Sequence, residues 1–372
     1  MGKITYRESG VDFEIAKRTK DLIAPHARST LGPEVIGDFG LFGGLFHLNS
    51  YVDPVLVSST DGVGTKLKIA SWLGRYDTIG KDVVNQNIND VLTTGARPIF
   101  FLDYLAMESL VPEQVEEIVK GIAEACNEAG CALLGGETSQ LSDVFRPGAF
   151  ELAGFVVGAV ERASLINPTS VCKGDVLIGV PSSGLHTNGY SLVRAIFGLE
   201  NDQSPLFKYW DELGSTLGES LLTPHRGYWP LVEPILTSVK SIAHVTGSGI
   251  IENLERVMPM GVTPQIDWTS WTTPPIFQAI QDSGDVEIDE MRKVFNMGVG
   301  LILVCDPTQA KDITQVLSDS WILGMSEVVG SNFRQLPTSA DIGFANLRIN
   351  ALQSEVHQDD LRYVTGSRLD WI

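Results

Sequence analysis

The alternation of apolar and polar positions divides the first half of the chain into short strands, glycine-bearing loops and helices. Residues 55–60 form a β-branched run that reads as a strand. The turn-forming Asp61-Gly62-Val63-Gly64-Thr65 and a helical stretch over 66–73 follow it. Val84, Ile88, Val91 and Leu92 recur at helical spacing on one stripe, Asp82, Asn85 and Asn89 occupy another, and Gly95 is placed to stop that helix. Residues 99–104 read as a buried strand. A further helix opens at Pro112, carries Val115, Ile118, Val119 and Ile122 on one face and ends near Gly130. Strands are expected again over 132–134 and 155–160.

A polar, turn-rich stretch over 168–174 interrupts this pattern, which restarts with a strand over 176–180, a loop over 181–187 and a helix over 188–197. Later elements are strands over 242–245 and 300–305 and helices over 250–257 and 309–317. Both halves open with strand, Gly/Ser-rich loop and helix, an echo short of a true repeat. The alternation predicts α/β or α+β architecture. A chain of 372 residues exceeds one ordinary core. We therefore expect domains over 1–167 and 168–350, with a tail over 351–372.

Composition narrows the partners. With 43% hydrophobic and 20% charged residues the chain is globular in character. A net charge of -19 opposes a polyphosphate backbone, so nucleic acid is not an expected partner, whereas a small phosphorylated substrate remains compatible. Cys126, Cys131, Cys172 and Cys305 are too few and scattered for a disulfide framework, which fits a reducing, cytoplasmic setting. The first ten residues are polar, and the most apolar stretch, 149–160, is short and carries Glu151. Neither a signal peptide nor a membrane span is expected.

Neither GxxxxGK[ST] nor GxGxxG occurs, so a bound nucleotide would need another cradle. Residues 61–66 are the best candidate: their glycines admit a phosphate close to the backbone, the following helix offers its first amides, and Lys66 adds a point charge. The competing reading is a tight turn capped by Asp61. Asp61, Asp90, Asp103 and Glu137 stand at the ends of apolar segments, where a shared Mg²⁺ would offset the cost of burying them; capping or ion pairing is the alternative. Residues 182–191, Ser-Ser-Gly-Leu-His-Thr-Asn-Gly-Tyr-Ser, gather hydroxyls, an imidazole and an amide before a helix. Such a loop suits anion binding or proton movement, and it lacks the GxSxG elbow of serine hydrolases. The helix dipole there disfavours an imidazolium, so a neutral His186 is expected.

Ordered along the chain, several motifs resemble the aminoimidazole ribonucleotide synthetases, also called phosphoribosylformylglycinamidine cyclo-ligases. They begin with Ser9-Gly10-Val11-Asp12, the run Phe39-Gly40-Leu41-Phe42-Gly43-Gly44-Leu45-Phe46, residues 60–67 and Asp77-Thr78-Ile79-Gly80. They continue with Asn89-Asp90, residues 95–104, Gly135-Gly136-Glu137-Thr138, residues 182–192 and Phe295-Asn296-Met297-Gly298-Val299-Gly300. Singly these motifs recur in a superfamily with selenophosphate synthetase and thiamine-monophosphate kinase; their combination is specific.

The resemblance implies a two-domain α/β fold and a homodimer whose N-terminal domains build a shared β-barrel. It also implies ATP bound without a Walker loop, Mg²⁺, with K⁺ as a further candidate ion, and a small ribonucleotide substrate. The implied reaction is the ATP-dependent ring closure of formylglycinamidine ribonucleotide to aminoimidazole ribonucleotide in purine biosynthesis. By the same resemblance Asp61, Asp90 and Glu137 hold the metal. Gly40, Gly43, Gly44, Asp61, Gly62, Gly64, Thr65, Lys66 and Asn89 meet ATP, and Ser183, Gly184, His186, Thr187 and Asn188 face the substrate, with His186, Asp90 and Lys66 in catalytic roles. A small-molecule kinase of the superfamily and a catalytically silent regulatory paralogue are the competing functions. Three positions depart from the family pattern: Gln140 for glutamate, His225 for threonine, and Ser248 inside a triple glycine.

Overall fold

Asp12 starts the first helix, α1 (Phe13–Arg28), by accepting a 2.9 Å hydrogen bond from the Glu14 amide, which satisfies one of the donors left open at a helix start. The computed structural model describes residues 12–38, 40 and 42–328. The motif at Ser9 to Val11, the positions Phe39 and Leu41, and the expected tail over 351–372 lie outside the described residues. A two-stranded ribbon of β1 (Val35–Ile36) and β2 (Leu45–Phe46) follows α1.

The next six elements are β3 (Pro54–Gly62), α2 (Lys66–Leu73), α3 (Asp77–Leu92), β4 (Arg97–Met107), α4 (Pro112–Ala129) and β5 (Ala132–Gln140). With β6 (Phe150–Glu161) the strands form a sheet of order β3-β6-β4-β5, in which only β4 and β5 run parallel. Helices α3 and α4 cover one face. They meet backbone to backbone: a Cβ on Gly80 would lie 2.1 Å from the Ile118 carbonyl oxygen, and one on Gly121 would lie 2.1 Å from that of Asp77. Any larger residue at either position would force the helices apart. On the other face Phe46, Leu48 and Tyr51 cover Ile99, Val157 and Ala159, while Leu56 61%, Tyr104 42% and Phe155 37% stay exposed.

The remaining strands belong to a second, wholly antiparallel sheet of order β10-β12-β7-β13-β11 and to a small ribbon. In chain order these elements begin with β7 (Val176–Pro181), α5 (Tyr190–Ile196), the ribbon of β8 (Tyr209–Trp210) and β9 (Ser215–Thr216), and α6 (Leu217–Leu221). Next come α7 (Trp229–Val232), β10 (Ser241–His244), α8 (Gly249–Glu255) and β11 (Val262–Ile266). The last are α9 (Pro275–Gly284), α10 (Ile288–Val294), β12 (Val299–Cys305), α11 (Pro307–Val316) and β13 (Trp321–Val328). All seven residues of β12 are buried, as the continuous apolar run 299–305 requires of a central strand.

Most expected elements form, with one informative extension. The strand expected over 132–134 continues through Gly135-Gly136 to Gln140, because its partner β4 supplies backbone partners along that whole length. A Cβ on Gly136 would lie 2.0 Å from an Asp103 carboxylate oxygen, so the strand crosses this point only as glycine.

Candidate active site

Two carboxylates meet where the first sheet ends. Asp61 is the penultimate residue of β3, in register with Gly154 of β6, and Asp90 comes from the last turn of α3. Their carboxyl groups are hydrogen-bonded to each other. Burial, and then the charge of Asp90, push Asp61 up to about 7. Burial acts on Asp90 in the same sense but loses: hydrogen bonds from His244 Nδ1 at 2.8 Å and Ser59 Oγ at 2.9 Å help hold it below the usual carboxylate range. The Asp90 side chain keeps 32% exposure, so an entering ligand can reach it. Two acids bridged by one proton form a donor set that a divalent cation satisfies better, since it can replace the proton and neutralise both.

The glycine loop leads directly from this pair. Gly64 has φ +71° with open space where a Cβ would stand, and no side chain caps the start of α2. Thr65 Oγ1 lies 3.3 Å from Ser191 Oγ at the start of α5, so the two strand, loop, helix units face each other across a short gap.

Lys66 is not available to a phosphate, contrary to the expectation from sequence. It is fully buried, and its ammonium pairs with Asp82 at 2.8 Å and donates to the carbonyl oxygens of His186 at 3.2 Å and Thr223 at 2.8 Å. Burial pulls Lys66 down and pushes Asp82 up, each resisted by the other's charge. Asn89 is likewise committed elsewhere: its amide donates to the Arg226 carbonyl at 2.9 Å and accepts from the Tyr228 amide at 3.0 Å, clamping that segment rather than facing a nucleotide.

Residues 182–188 do form a loop across from the glycine turn. Ser183 Oγ donates to the Pro224 carbonyl, and the Ser183 amide donates to His186 Nε2 at 3.3 Å. Gly184 is in the positive-φ region, and Asn188 lies beside Gly247. His186 is fully buried, with φ +60°, and its ring stacks on His225 at 3.8 Å between centroids. It is neutral as expected, but the leading cause is burial. A ring enclosed in this way positions the loop; proton transfer to substrate would require the loop to open.

The other expected ligands stand apart from this cluster. Glu137 and Gly136 are on β5, three strands from Asp61, or about 14 Å at an interstrand spacing of about 4.8 Å. Glu137 accepts a hydrogen bond from Ser139 instead. Gly44 packs against Leu134 of the same strand, and Gly40 has φ +104°. Asp82, His225 and His244 are functional candidates to which sequence reasoning assigns no role in the site. Asp82 carries a signal, being an acid on an otherwise packed helix; His225 and His244 are brought together only by the tertiary fold.

Ser248 is exposed and sits at φ +74°, a conformation that costs a non-glycine residue roughly 1 kcal/mol. Ser248→Gly is expected to raise the melting temperature by about 2–4 °C, read by scanning calorimetry. The neighbouring Gly249 has no such latitude, since a Cβ there would lie 1.9 Å from the Arg292 carbonyl oxygen.

The two halves of the chain match the family described as AIR synthase related protein, its N-terminal domain over residues 49–160 and its C-terminal domain over 173–331. Among solved structures, hydrogenase maturation protein HypE in complex with ATP superposes with a TM-score of 0.63 at 16% identity, covering 87% of this chain and 88% of that one. Thiamine-monophosphate kinase from Stenotrophomonas maltophilia gives 0.59 at 16% identity, over 86% and 94%. These likenesses define the AIR synthase fold. A phosphoribosylformylglycinamidine cyclo-ligase from Alkaliphilus metalliredigens is 45% identical over 86% of this chain and 93% of its own length. Another, from Desulfitobacterium hafniense, is 48% identical over 82% and 89%. The chain belongs to the phosphoribosylformylglycinamidine cyclo-ligase family.

Proposed function

We propose that this chain closes the imidazole ring of aminoimidazole ribonucleotide from formylglycinamidine ribonucleotide, using ATP. The γ-phosphoryl group passes to the formyl-amide oxygen; the amidine nitrogen then attacks the activated carbon, a C–N bond forms, and the C–O bond to phosphate breaks. ADP and phosphate are released. The observation that carries this reading is the Asp61–Asp90 pair at the mouth of an uncapped glycine turn, facing the loop 182–188. Asp61 and Asp90 would hold Mg²⁺, which supplies charge neutralisation to the phosphates. The exposed Gly64 and Thr65 lie beside the pair, where their backbone would meet a phosphate, and Ser183, Thr187 and Asn188 would orient the ribonucleotide. His186 holds that loop in place. HypE, which shares this fold, was solved in complex with ATP, and that supports ATP as the nucleotide here.

The remaining expected residues suit a homodimer. Among the described residues strands β3 and β5 are the two free edges of the four-stranded sheet, and the uncovered part of its outer face carries Leu56, Tyr104 and Phe155. Pairing two such sheets would bury that face in a shared barrel and bring the β5 edge of one subunit, with Glu137 and Gly44, beside the Asp61 loop of the other. Mixing inactive Asp90→Asn and Glu137→Gln homodimers and allowing exchange would then restore activity, because one site of each mixed dimer is intact. No recovery despite verified exchange would place both residues in one subunit's site. We further propose a domain boundary between the two sheets, at residues 167/168, and a cytoplasmic location, where Cys126, Cys131, Cys172 and Cys305 would stay reduced. No helix among the described residues is long and apolar enough to cross a membrane.

The activity is tested directly by incubating the protein with ATP, Mg²⁺ and formylglycinamidine ribonucleotide and detecting aminoimidazole ribonucleotide by its colour reaction. Formation of the amine with one ADP per ring closed is expected. A stable phosphorylated product would identify a kinase instead, and ATP binding without turnover a silent paralogue.

A further inference from the structure

With Lys66 committed to Asp82, a polyphosphate at the glycine turn needs another cation, and two stand beside that turn. Lys68 lies three residues after Thr65 along α2, and Arg194 lies three residues after Ser191 along α5. Helical side chains lean back toward the helix N-terminus over the residues three and four before them, so each cation reaches over a hydroxyl. Those two hydroxyls are 3.3 Å apart, and both Thr65 and Ser191 are exposed. Arg194 Nη2 lies 3.4 Å from Ser191 Oγ. The two cations also converge on one anion. Lys68 Nζ donates to Glu200 Oε1 at 2.8 Å and to Oε2 at 2.9 Å, and Arg194 Nη1 donates to the same Oε1.

We propose that Arg194 and Lys68 are the cations that hold the outer phosphates of the nucleotide, and that Glu200 occupies the place of those phosphates until ATP displaces it. The proposal rests on the reading that residues 61–65 meet ATP. Two cations sharing one carboxylate leave a positive charge over, in a chain whose net charge is -19. The Glu200 side chain is 51% exposed, and an ion pair in water contributes little, so an incoming anion can replace it. The arginine is held more firmly. Its side chain is 13% exposed, and its Nε is buried with no hydrogen-bond partner, so the fork keeps donor capacity that Glu200 and Ser191 do not use. A phosphate brings more charge than a carboxylate, and oxygens spaced to match a guanidinium fork. Thr65 belongs to the glycine turn itself, which assigns the two cations to the nucleotide and not to the ribonucleotide.

The test is calorimetry on the full chain in Mg²⁺ with AMP, ADP or ATP, and separately with formylglycinamidine ribonucleotide. Arg194→Met and Lys68→Met should each weaken ADP and ATP binding about tenfold to a hundredfold and leave AMP binding as it was. Glu200→Gln should tighten ATP binding about twofold to fivefold, because it frees both cations. A trio that served folding alone would give no such gain. Unchanged ADP and ATP affinity in a folded cation variant, an equal loss for AMP, or no gain in Glu200→Gln would overturn the assignment. A loss confined to the ribonucleotide would also overturn it, by moving the cations to the 5′-phosphate of that substrate. Should Arg194→Met fail to fold, the exposed positions Lys68 and Glu200 decide. Nucleotide binding that depends on these residues without ring closure would keep the pair and sink the proposed activity. Ring closure with unaltered nucleotide affinity in the variants would do the reverse.

Discussion

Lys66→Ala is expected to lower stability by about 3–5 kcal/mol, the loss seen when one partner of a buried ion pair is removed and the other charge is stranded. In this fold the loss has three parts. Asp82 is left facing only the His225 amide at 2.7 Å, and the carbonyls of His186 and Thr223 lose their donor inside the protein. At about 2–4 °C per kcal/mol the melting temperature should fall by roughly 6–20 °C. Replacing both partners with apolar residues, as in Lys66→Met with Asp82→Leu, should recover part of this, because it removes the stranded charge but not the orphaned carbonyls. Calorimetry on the three proteins separates the contributions. An unchanged melting temperature with a selective loss of ATP affinity would return Lys66 to the phosphate site.

Asp90→Asn is expected to lower turnover by about 10²–10³, with a melting temperature close to that of the parent. The change keeps volume but removes the ionised member of the acidic pair. A cation held against phosphate contributes several kcal/mol to the transition state, and each 1.36 kcal/mol is tenfold in rate. It also removes one of the causes that raise Asp61, whose carboxyl should move back toward its ordinary range. Steady-state kinetics at saturating ATP across a Mg²⁺ series make the measurement. Near-parental turnover at every Mg²⁺ concentration would remove Asp90 from the metal set.

Local chemistry makes the N-terminal elements readable. Gly130 stops α4 in the left-handed conformation, Pro112 starts it, and the helix over 66–73 forms with the expected bounds. Strand β13 escapes a sequence reading because its burial does not alternate: it carries Trp321 across Gly179 of β7 and contains a register shift. The acidic pair is legible because Asp61 and Asp90 each end an apolar segment. Lys66 misleads for a physical reason, since a lysine beside a glycine turn looks the same in sequence whether its ammonium turns toward a ligand or into the protein. Its partner Asp82 lies one helix away, and its carbonyl acceptors lie 120 and 157 residues further along. The histidine cluster is hidden for the same reason, because it exists only once β10 is laid beside β12.

The Lys66–Asp82 pair joins helices packed on the first sheet to loops that belong to the second. Any hinge that separated the two sheets at this point would have to pull an ammonium from a carboxylate and two carbonyls in a dry environment. Breathing of this kind is therefore closed off here, and the exposed positions 64 and 65 and the part-exposed Asp90 lie on the solvent side of the pair. The His225 amide, which donates to Asp82, should exchange its hydrogen only when the whole molecule unfolds, while the exposed amides of Gly64 and Thr65 exchange with every local fluctuation.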